Sequence, residues 1–146
     1  MFTTFFSNPE QYAYVCRLNG SSLYVFQIQR NSSLWESVEY SSFAVGPESD
    51  KYRLSVSGFS GDTGDALAAP AHPFRISNGM QFTCADQDND NSGGHCWNGN
   101  SGWWFNLCAR SSLTTDEAAC WNAYTNVVVE DVIFSRMLVK LHQWTA

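Results

Sequence analysis

The stretch ADQDNDNSGGHC, residues 85–96, concentrates carboxylates and small residues in one short segment. Asp86, Asp88 and Asp90 occupy every second position, so in an extended backbone their side chains share one face and repel one another. Calcium relieves such repulsion, because it binds about six to eight oxygen ligands from carboxylates, carbonyls and water. Gly93 and Gly94 allow the backbone to curl and turn carbonyl oxygens inward. A solvated acidic turn, whose Asp and Asn side chains cap local backbone groups, is the alternative that this stretch leaves open.

The spacing of the aspartates begins like an EF-hand loop but does not continue as one. Counting from Asp86, the sixth position is Asn91 instead of glycine and the twelfth is Trp97 instead of glutamate. No helical pattern flanks the segment, so an EF-hand is excluded.

The cysteines indicate an extracellular protein. Five cysteines in a chain of low charge, with no CxxC pair and no closely spaced histidines, favour disulfides over a zinc site. They are Cys16, Cys84, Cys96, Cys108 and Cys120. Because five is odd, at least one thiol is free or bonded to another chain. Sequons at Asn19 and Asn31 are predicted glycosylation sites and agree with export.

Composition excludes several classes of protein. A chain of 146 residues with 44% hydrophobic residues is long enough for one domain with its own core. Its formal net charge of −6 argues against binding nucleic acid through a broad basic surface. No apolar run reaches the roughly 18 residues of a membrane span. The first residues, MFTTFFSNPEQY, do not have the pattern of a signal peptide.

No residue set predicts catalysis. The three histidines, His72, His95 and His142, lack a neighbouring nucleophile, and no Gly-x-Ser-x-Gly or phosphate-binding loop is present. His95, inside the acidic segment, is predicted to orient that loop. The chain is therefore expected to bind rather than to catalyse.

Mostly short strands and long ordered loops are predicted around the acidic segment. Alternating apolar residues indicate a strand over 22–29, a turn at 31–33 and a second strand over 34–45, which together form a hairpin. A third strand is expected over 52–57, and strand-like runs over 126–144. GWWFNLC, residues 102–108, reads as core, and TTDEAACWNAY, residues 114–124, as one helix with Thr115 as its cap.

Three segments in this order resemble the fibrinogen C-terminal domain family, the globular module of fibrinogen chains, ficolins, tachylectins and angiopoietins. They are DKYRLSVSGFSGDTGDAL (50–67), NGMQFTCADQDNDNSGGHC (78–96) and GWWFNLC (102–108). The resemblance implies an α+β fold with a short antiparallel sheet, one or two short helices and a loop-rich calcium- and ligand-binding region. We expect one truncated domain over 1–146, with a divergent N-terminal part (1–33), a central sheet region (34–77), the calcium loop and pocket (78–113) and divergent C-terminal strands (114–146).

The resemblance also implies site residues. It assigns calcium to the side chains of Asp88 and Asp90 and to the backbone carbonyls of Ser92 and Gly94, with Asp86 behind them. It pairs Cys96 with Cys108 in a disulfide and places a cis peptide bond before Cys108. A second, enclosing pair of Cys84 with Cys120 is plausible from their positions on either side of that bridge.

A ligand pocket beside the calcium loop is likewise implied. Its residues are Trp97, Asn98, Gly99, Asn100, Leu107, Cys108 and Ala109. Ala109 replaces a histidine that the family commonly has, and the aromatic run that normally follows has become VVVEDVIFSR. Trp103 and Trp104, in an apolar run, are expected in the core rather than in the pocket.

Two functions follow from the resemblance. The first is a secreted, calcium-binding, lectin-like module that recognises acetylated glycans in innate immunity. The second is a structural or signalling module that engages a protein partner, with calcium purely structural. Family members commonly form oligomers, so a homo-oligomer or a larger extracellular assembly is expected in either case.

Overall fold

The computed structural model describes residues 2–5, 23–30, 32–70, 72–96, 102–114, 119–121 and 132–140, with only the backbone of 2–5, 23–25 and 139–140. Seven strands are present in these segments: β1 (Phe2–Phe5), β2 (Leu23–Arg30), β3 (Trp35–Val45), β4 (Leu54–Gly61), β5 (Ser111–Ser112), β6 (Cys120–Trp121) and β7 (Val132–Lys140). Single turns of 3₁₀ helix span Glu48–Asp50 and Pro73–Arg75. The implied α+β fold with an antiparallel sheet and one or two short helices is therefore confirmed, and the helices are single 3₁₀ turns.

Five of the strands form one antiparallel sheet in the order β1-β7-β2-β3-β4. The predicted hairpin is present as β2 and β3, with Gln29 opposite Trp35. Its turn is closed by hydrogen bonds from the Ser33 N–H to the Arg30 carbonyl (2.8 Å) and from the Arg30 N–H to the Leu34 carbonyl (2.9 Å). Strand β7 pairs with both β2 and β1, so the two ends of the described chain meet on one side of the sheet.

The outer edge of β4 is covered by the segment that leads to the acidic loop. The Leu54 N–H donates to the Met80 carbonyl (2.9 Å), and the Gly79 N–H donates to the Leu54 carbonyl (2.8 Å). At Val56 the Asn78 side chain replaces a strand, accepting from the Val56 N–H (2.9 Å) and donating to the Val56 carbonyl (3.1 Å). These bonds fix the start of the acidic segment against the sheet.

The core lies between one face of this sheet and the loop region. Phe26, Ile28, Val38 and Tyr40 alternate along β2 and β3 and are buried. From the loop region they meet the following buried residues: Ala66, Leu67, Trp103, Trp104, Phe105 and Trp121. The prediction that the apolar run 102–108 supplies core is thus confirmed for its tryptophans. No helix in the described segments is long and apolar enough to cross a membrane.

The helix predicted over 114–124 is wrong where the structure can be compared with it. Residues 115–118 and 122–124 lie outside the described residues, but Cys120 and Trp121 form strand β6. Ser111 pairs with Trp121, which is buried, and the Trp121 indole N–H donates to the Gly64 carbonyl (2.9 Å). Burial of the Trp121 side chain outweighs the local preference for a helix, because the helix propensities of ordinary residues differ by less than about 1 kcal/mol per residue.

Candidate functional site

The acidic loop folds back on itself through its own side chains. Asp88 accepts the Asp90 N–H (3.2 Å), and Asp90 accepts the N–H groups of Ser92 (2.8 Å) and Cys96 (3.0 Å). The Ser92 hydroxyl accepts the Gly94 N–H (3.3 Å). Asp and Ser side chains that bond the backbone two residues ahead stabilise tight turns. These bonds alone curl the loop around Asp88 and Asp90, without a metal.

A histidine of the loop contacts one of these carboxylates. His95 Nδ1 lies 2.6 Å from Asp88 Oδ2, as expected for a residue that orients the loop. The Asp90 backbone N–H and the His95 ring together hold the pKa of Asp88 below its usual range. Asp88 is therefore ionised at neutral pH.

The donor set of the loop fits calcium. Asp88 and Asp90 supply carboxylate oxygens, and the carbonyl oxygens of Ser92 and Gly94 accept no hydrogen bond within the described segments. Hard oxygen donors of this kind suit Ca²⁺. Among the described residues there is no group of three or more His, Cys, Asp or Glu side chains that could hold a metal. Backbone carbonyls are thus essential to the predicted site, and calcium stays a prediction.

The predicted disulfide between Cys96 and Cys108 is present, with the Cα atoms 4.9 Å apart. A second link lies beside it, because the Asn91 side-chain amide donates to the Asn106 side-chain oxygen (2.9 Å) and the Asn91 N–H donates to the Asn106 carbonyl (3.1 Å). These bonds attach the acidic loop to the 106–108 turn. A ligand group near that turn would therefore lie next to the acidic loop.

The cis peptide bond expected before Cys108 is not found. No cis peptide occurs in the described part of the chain, and Cys108 instead has a positive φ of 57°. The Asn106 N–H donates to the Cys108 carbonyl (3.0 Å), so the backbone reverses with trans bonds. A left-handed residue achieves the same reversal at a lower free energy than a non-proline cis bond, which costs about 3 kcal/mol.

Two exposed apolar side chains lie at this turn. Leu107, a predicted pocket residue, is 43% exposed, and its N–H donates to the carbonyl of Phe74 (3.0 Å). Phe74 is 68% exposed and belongs to the 3₁₀ turn Pro73–Arg75. Sequence reasoning missed Phe74, because a backbone bond across more than thirty residues leaves no local pattern. Its only sequence signal is an aromatic residue directly after a proline.

The remaining predicted site residues divide into two groups. Leu107, Cys108 and Ala109 are brought together at the turn, with Ala109 packed against the core cluster. Trp97, Asn98, Gly99 and Asn100 lie outside the described residues, as do Cys16, His142 and the sequons at Asn19 and Asn31. The indole N–H of Trp104 donates to the Tyr52 carbonyl (2.7 Å), which confirms a structural role for that tryptophan.

The second disulfide is not formed. Cys84 and Cys120 both carry free thiols. Cys84 donates to the Asp86 carboxylate (3.1 Å), whereas Cys120 lies on β6 opposite Ser112. The predicted pairing of Cys84 with Cys120 is wrong. The two residues flank the Cys96–Cys108 bridge in the sequence, but in the fold each contacts a different neighbour. Burial raises the pKa of both thiols, and at Cys84 the nearby Asp86 carboxylate adds to the effect.

Sequence comparison relates this chain to known proteins. The profile of the family described as fibrinogen beta and gamma chains, C-terminal globular domain, matches residues 8–132. The fibrinogen gamma chain of Homo sapiens is 40% identical over 108 residues, which cover 62% of this chain and 24% of the relative. Fibrinogen-like protein 1 of Rattus norvegicus is 39% identical over 80 residues, covering 51% and 26%. The chain thus spans about a quarter of the length of these curated relatives.

Solved structures give the same fold. The fibrinogen-like globe domain of human ANGPTL2 superposes with a TM-score of 0.72 at 25% identity, over 90% of this chain and 62% of that one. Lamprey fibrin D-dimer, complexed with the peptide Gly-His-Arg-Pro-amide, superposes with a TM-score of 0.71 at 19% identity, over 99% and 57%.

Proposed function

The chain belongs to the fibrinogen C-terminal domain family, and we propose that it is an extracellular, non-catalytic module that binds a segment of a protein partner beside a calcium-ordered loop. The observation that carries this proposal is the exposed pair Phe74 and Leu107, joined by a backbone hydrogen bond at the turn that the Cys96–Cys108 disulfide closes. Exposed apolar side chains on an ordered turn are typical of a binding surface. The disulfide supports secretion, because such bonds persist in oxidising compartments.

Calcium would order this surface through the adjacent loop. Bound Ca²⁺ neutralises the carboxylates of Asp88 and Asp90, which would otherwise repel each other. The Asn91–Asn106 bonds then transmit the order of the loop to the turn that carries Leu107. The chain's own residues thus position the apolar pair, and the metal supplies only charge and rigidity.

A peptide is the ligand that the comparisons favour. The lamprey fibrin structure of the same fold holds a short peptide. By analogy, we propose that the partner of this chain presents an apolar side chain to Phe74 and Leu107. A short extended segment suits the site, because one exposed pair offers little area for a broad protein interface.

The binding experiment uses the immobilised chain and a library of short peptides, with and without calcium. Leu107→Ser and Phe74→Ser should each weaken binding at least about tenfold, as expected for a central apolar contact. Phe59→Ser, at an exposed aromatic residue of β4, is the matched control and should leave binding unchanged. Binding that survives both serine variants would refute the location.

Calcium is tested separately by thermal unfolding. Calcium at about 100 times its Kd should stabilise the parent chain by about 2.7 kcal/mol. Asp88→Asn should abolish this rise while it keeps an oxygen that can accept the Asp90 N–H. Asp90→Ala should also abolish it but should lower the midpoint without calcium too, because Ser92 and Cys96 lose their acceptor. An identical midpoint with and without calcium in the parent chain would reject the metal site.

Recognition of an acetylated glycan is the second candidate. An exposed apolar pair beside backbone amides also suits an acetyl group, whose methyl packs on carbon while its carbonyl accepts N–H bonds. Retention on an N-acetylglucosamine resin, with release by EDTA or free sugar and loss in Leu107→Ser, would favour the glycan over the peptide. No retention, together with calcium-dependent peptide binding, would favour the protein partner.

A further inference from the structure

Exposed apolar side chains gather at a second place, outside the acidic loop and the 106–108 turn. Of the eight large apolar side chains that are exposed in the described segments, four lie at the β2–β3 turn and the start of β7. We call this set the aromatic corner: Leu34 (57% exposed), Trp35 (45%), Ile133 (59%) and Phe134 (49%). Within this set the Trp35 and Phe134 rings are in contact, and grouped apolar surface marks interaction sites more often than scattered residues do.

The sheet positions the aromatic corner by its register. Gln29 of β2 is opposite Trp35 on one side and Phe134 on the other, so the two rings flank one residue on the same face. Phe26, Ile28 and Val38 point to the opposite face and are buried. The exposure of Trp35 and Phe134 therefore follows from strand alternation.

Contacts between side chains hold the corner in place. The Trp35 and Phe134 rings meet edge to face with centroids 5.5 Å apart. The Arg136 guanidinium carbon lies 5.5 Å from the Trp35 ring, and Arg136 Nε donates to the Gln27 side-chain oxygen (2.6 Å). Because these side chains are already ordered, binding through them loses little conformational entropy.

We propose that the aromatic corner is the surface through which a second copy of this chain binds, related by a two-fold axis. An axis parallel to β2 exchanges β3 with β7, so Trp35 of one copy faces Phe134 of the other. Residues that lie side by side on β3, β2 and β7 form a row across this face. Trp35, Gln29 and Phe134 form the first row, and Ser37, Gln27 and Arg136 form the next. Glu39 lies beside Val25 in the row after that. Measured along the strand direction, the same axis offsets Arg136 of one copy from Glu39 of the other by one row, roughly 7 Å.

Size and charge support a second copy as the occupant. The four side chains expose on the order of 400 Å² of apolar area, about half of what each partner buries in a standard interface. A polar rim of Gln27, Ser37, Glu39 and Arg136 can supply the rest. A two-fold interface joins the same surface of both copies, so that surface must complement itself. Because it carries both Glu39 and Arg136, the negative charge of each copy can face the positive charge of the other.

The test is the oligomeric state of the whole chain, measured by sedimentation across a concentration series. The parent chain should dimerise, and Trp35→Ser and Phe134→Ser should each weaken dimerisation at least about tenfold. Phe59→Ser is the matched control, because Phe59 is an exposed aromatic residue of β4 that lies outside both the corner and the Phe74–Leu107 pair. Circular dichroism checks that each variant is folded.

A charge exchange distinguishes a specific interface from a merely adhesive patch. Glu39→Arg alone and Arg136→Glu alone should each weaken the dimer, and the double variant should restore it. A chain that stays monomeric at every concentration overturns the proposal, as does a dimer that Trp35→Ser and Phe134→Ser leave intact. A monomer whose peptide binding fails in Trp35→Ser would assign the corner to another partner, which also overturns it. The inference goes beyond the proposed recognition function, and EDTA should leave the dimer unchanged.

Discussion

Gly58 shows how one residue of the sheet depends on the absence of a side chain. Its φ is 68°, and an added Cβ would overlap the hydroxyl oxygen of Ser41 on β3. Gly58→Ala should therefore destabilise the chain by about 1–3 kcal/mol, through both the strained backbone and the overlap. Gly79→Ala is the control, since Gly79 has a φ of 83° but no atom within 4 Å of an added Cβ. Denaturant unfolding should give the larger loss for Gly58→Ala; equal losses would contradict the overlap.

The two free thiols give a prediction that depends on pH. Burial raises the pKa of Cys84 and Cys120, and Asp86 raises that of Cys84 further. Because the thiolate is the reactive form, both should alkylate more slowly than glutathione at pH 7 and faster as the pH rises above about 9. Asp86→Asn should accelerate Cys84 and leave Cys120 unchanged, as followed by mass spectrometry. Labelling of Cys84 and Cys120 only after reduction would show that their thiols are oxidised, which would contradict the free state.

At the scale of elements, the outer edge of β4 depends on the Asn78 side chain, which makes the backbone hydrogen bonds that a neighbouring strand would otherwise make. Asn78 both accepts from and donates to the Val56 backbone, so Asn78→Ala leaves a donor and an acceptor unpaired. The expected loss of unfolding free energy is about 1–3 kcal/mol. Asn78→Asp keeps the acceptor for the Val56 N–H and should lose less. Urea denaturation measures both, and a neutral Asn78→Ala would show that water replaces the amide.

Strands with a clear local sequence pattern could be predicted. Strands whose position depends on contacts with residues far away in the sequence could not. The hairpin of β2 and β3 follows from alternation, and β7 follows from a run of β-branched residues. The buried tryptophans at 103 and 104 follow from an apolar run. The third strand begins at Leu54 and runs to Gly61, later than predicted, because Tyr52 has a positive φ and lies outside it. Strand β1 had no periodic signal and is defined by its pairing with β7.

The sequence likewise predicted only part of the candidate site. The Cys96–Cys108 bridge followed from family resemblance, and its loop was visible as a concentration of aspartates. Phe74 was not predicted, because only the folded chain brings it to Leu107. The calcium ligands remain predictions, supported by the two aspartates and by the Ser92 and Gly94 carbonyls, which accept no hydrogen bond from the described residues.

At the scale of the whole molecule, sheet and loops share one core. Tyr40 of β3 donates its hydroxyl proton to Asp65 (2.5 Å), and burial raises the pKa of Tyr40 far above its usual value. Cys96→Ser with Cys108→Ser opens a loop with a sequence separation of 12 and should remove about 3 kcal/mol of stability. Near- and far-ultraviolet circular dichroism should still report one coincident transition at a lower temperature. Two separate transitions would show that the loop region folds independently.

The sheet order also determines how the molecule would sit on a support. Phe2 is paired with Lys140, while the loop with the aspartates continues from the segment along β4 at the far edge. Attachment along the β1–β7 edge would therefore leave the 106–108 turn, which is bonded to the acidic loop, facing the solution. The sequence has two lysines, Lys51 and Lys140. Lys51 is exposed, and its carbonyl accepts the Phe82 N–H beside the segment that runs along β4, so amine coupling at Lys51 would hold the molecule by the opposite edge of the sheet.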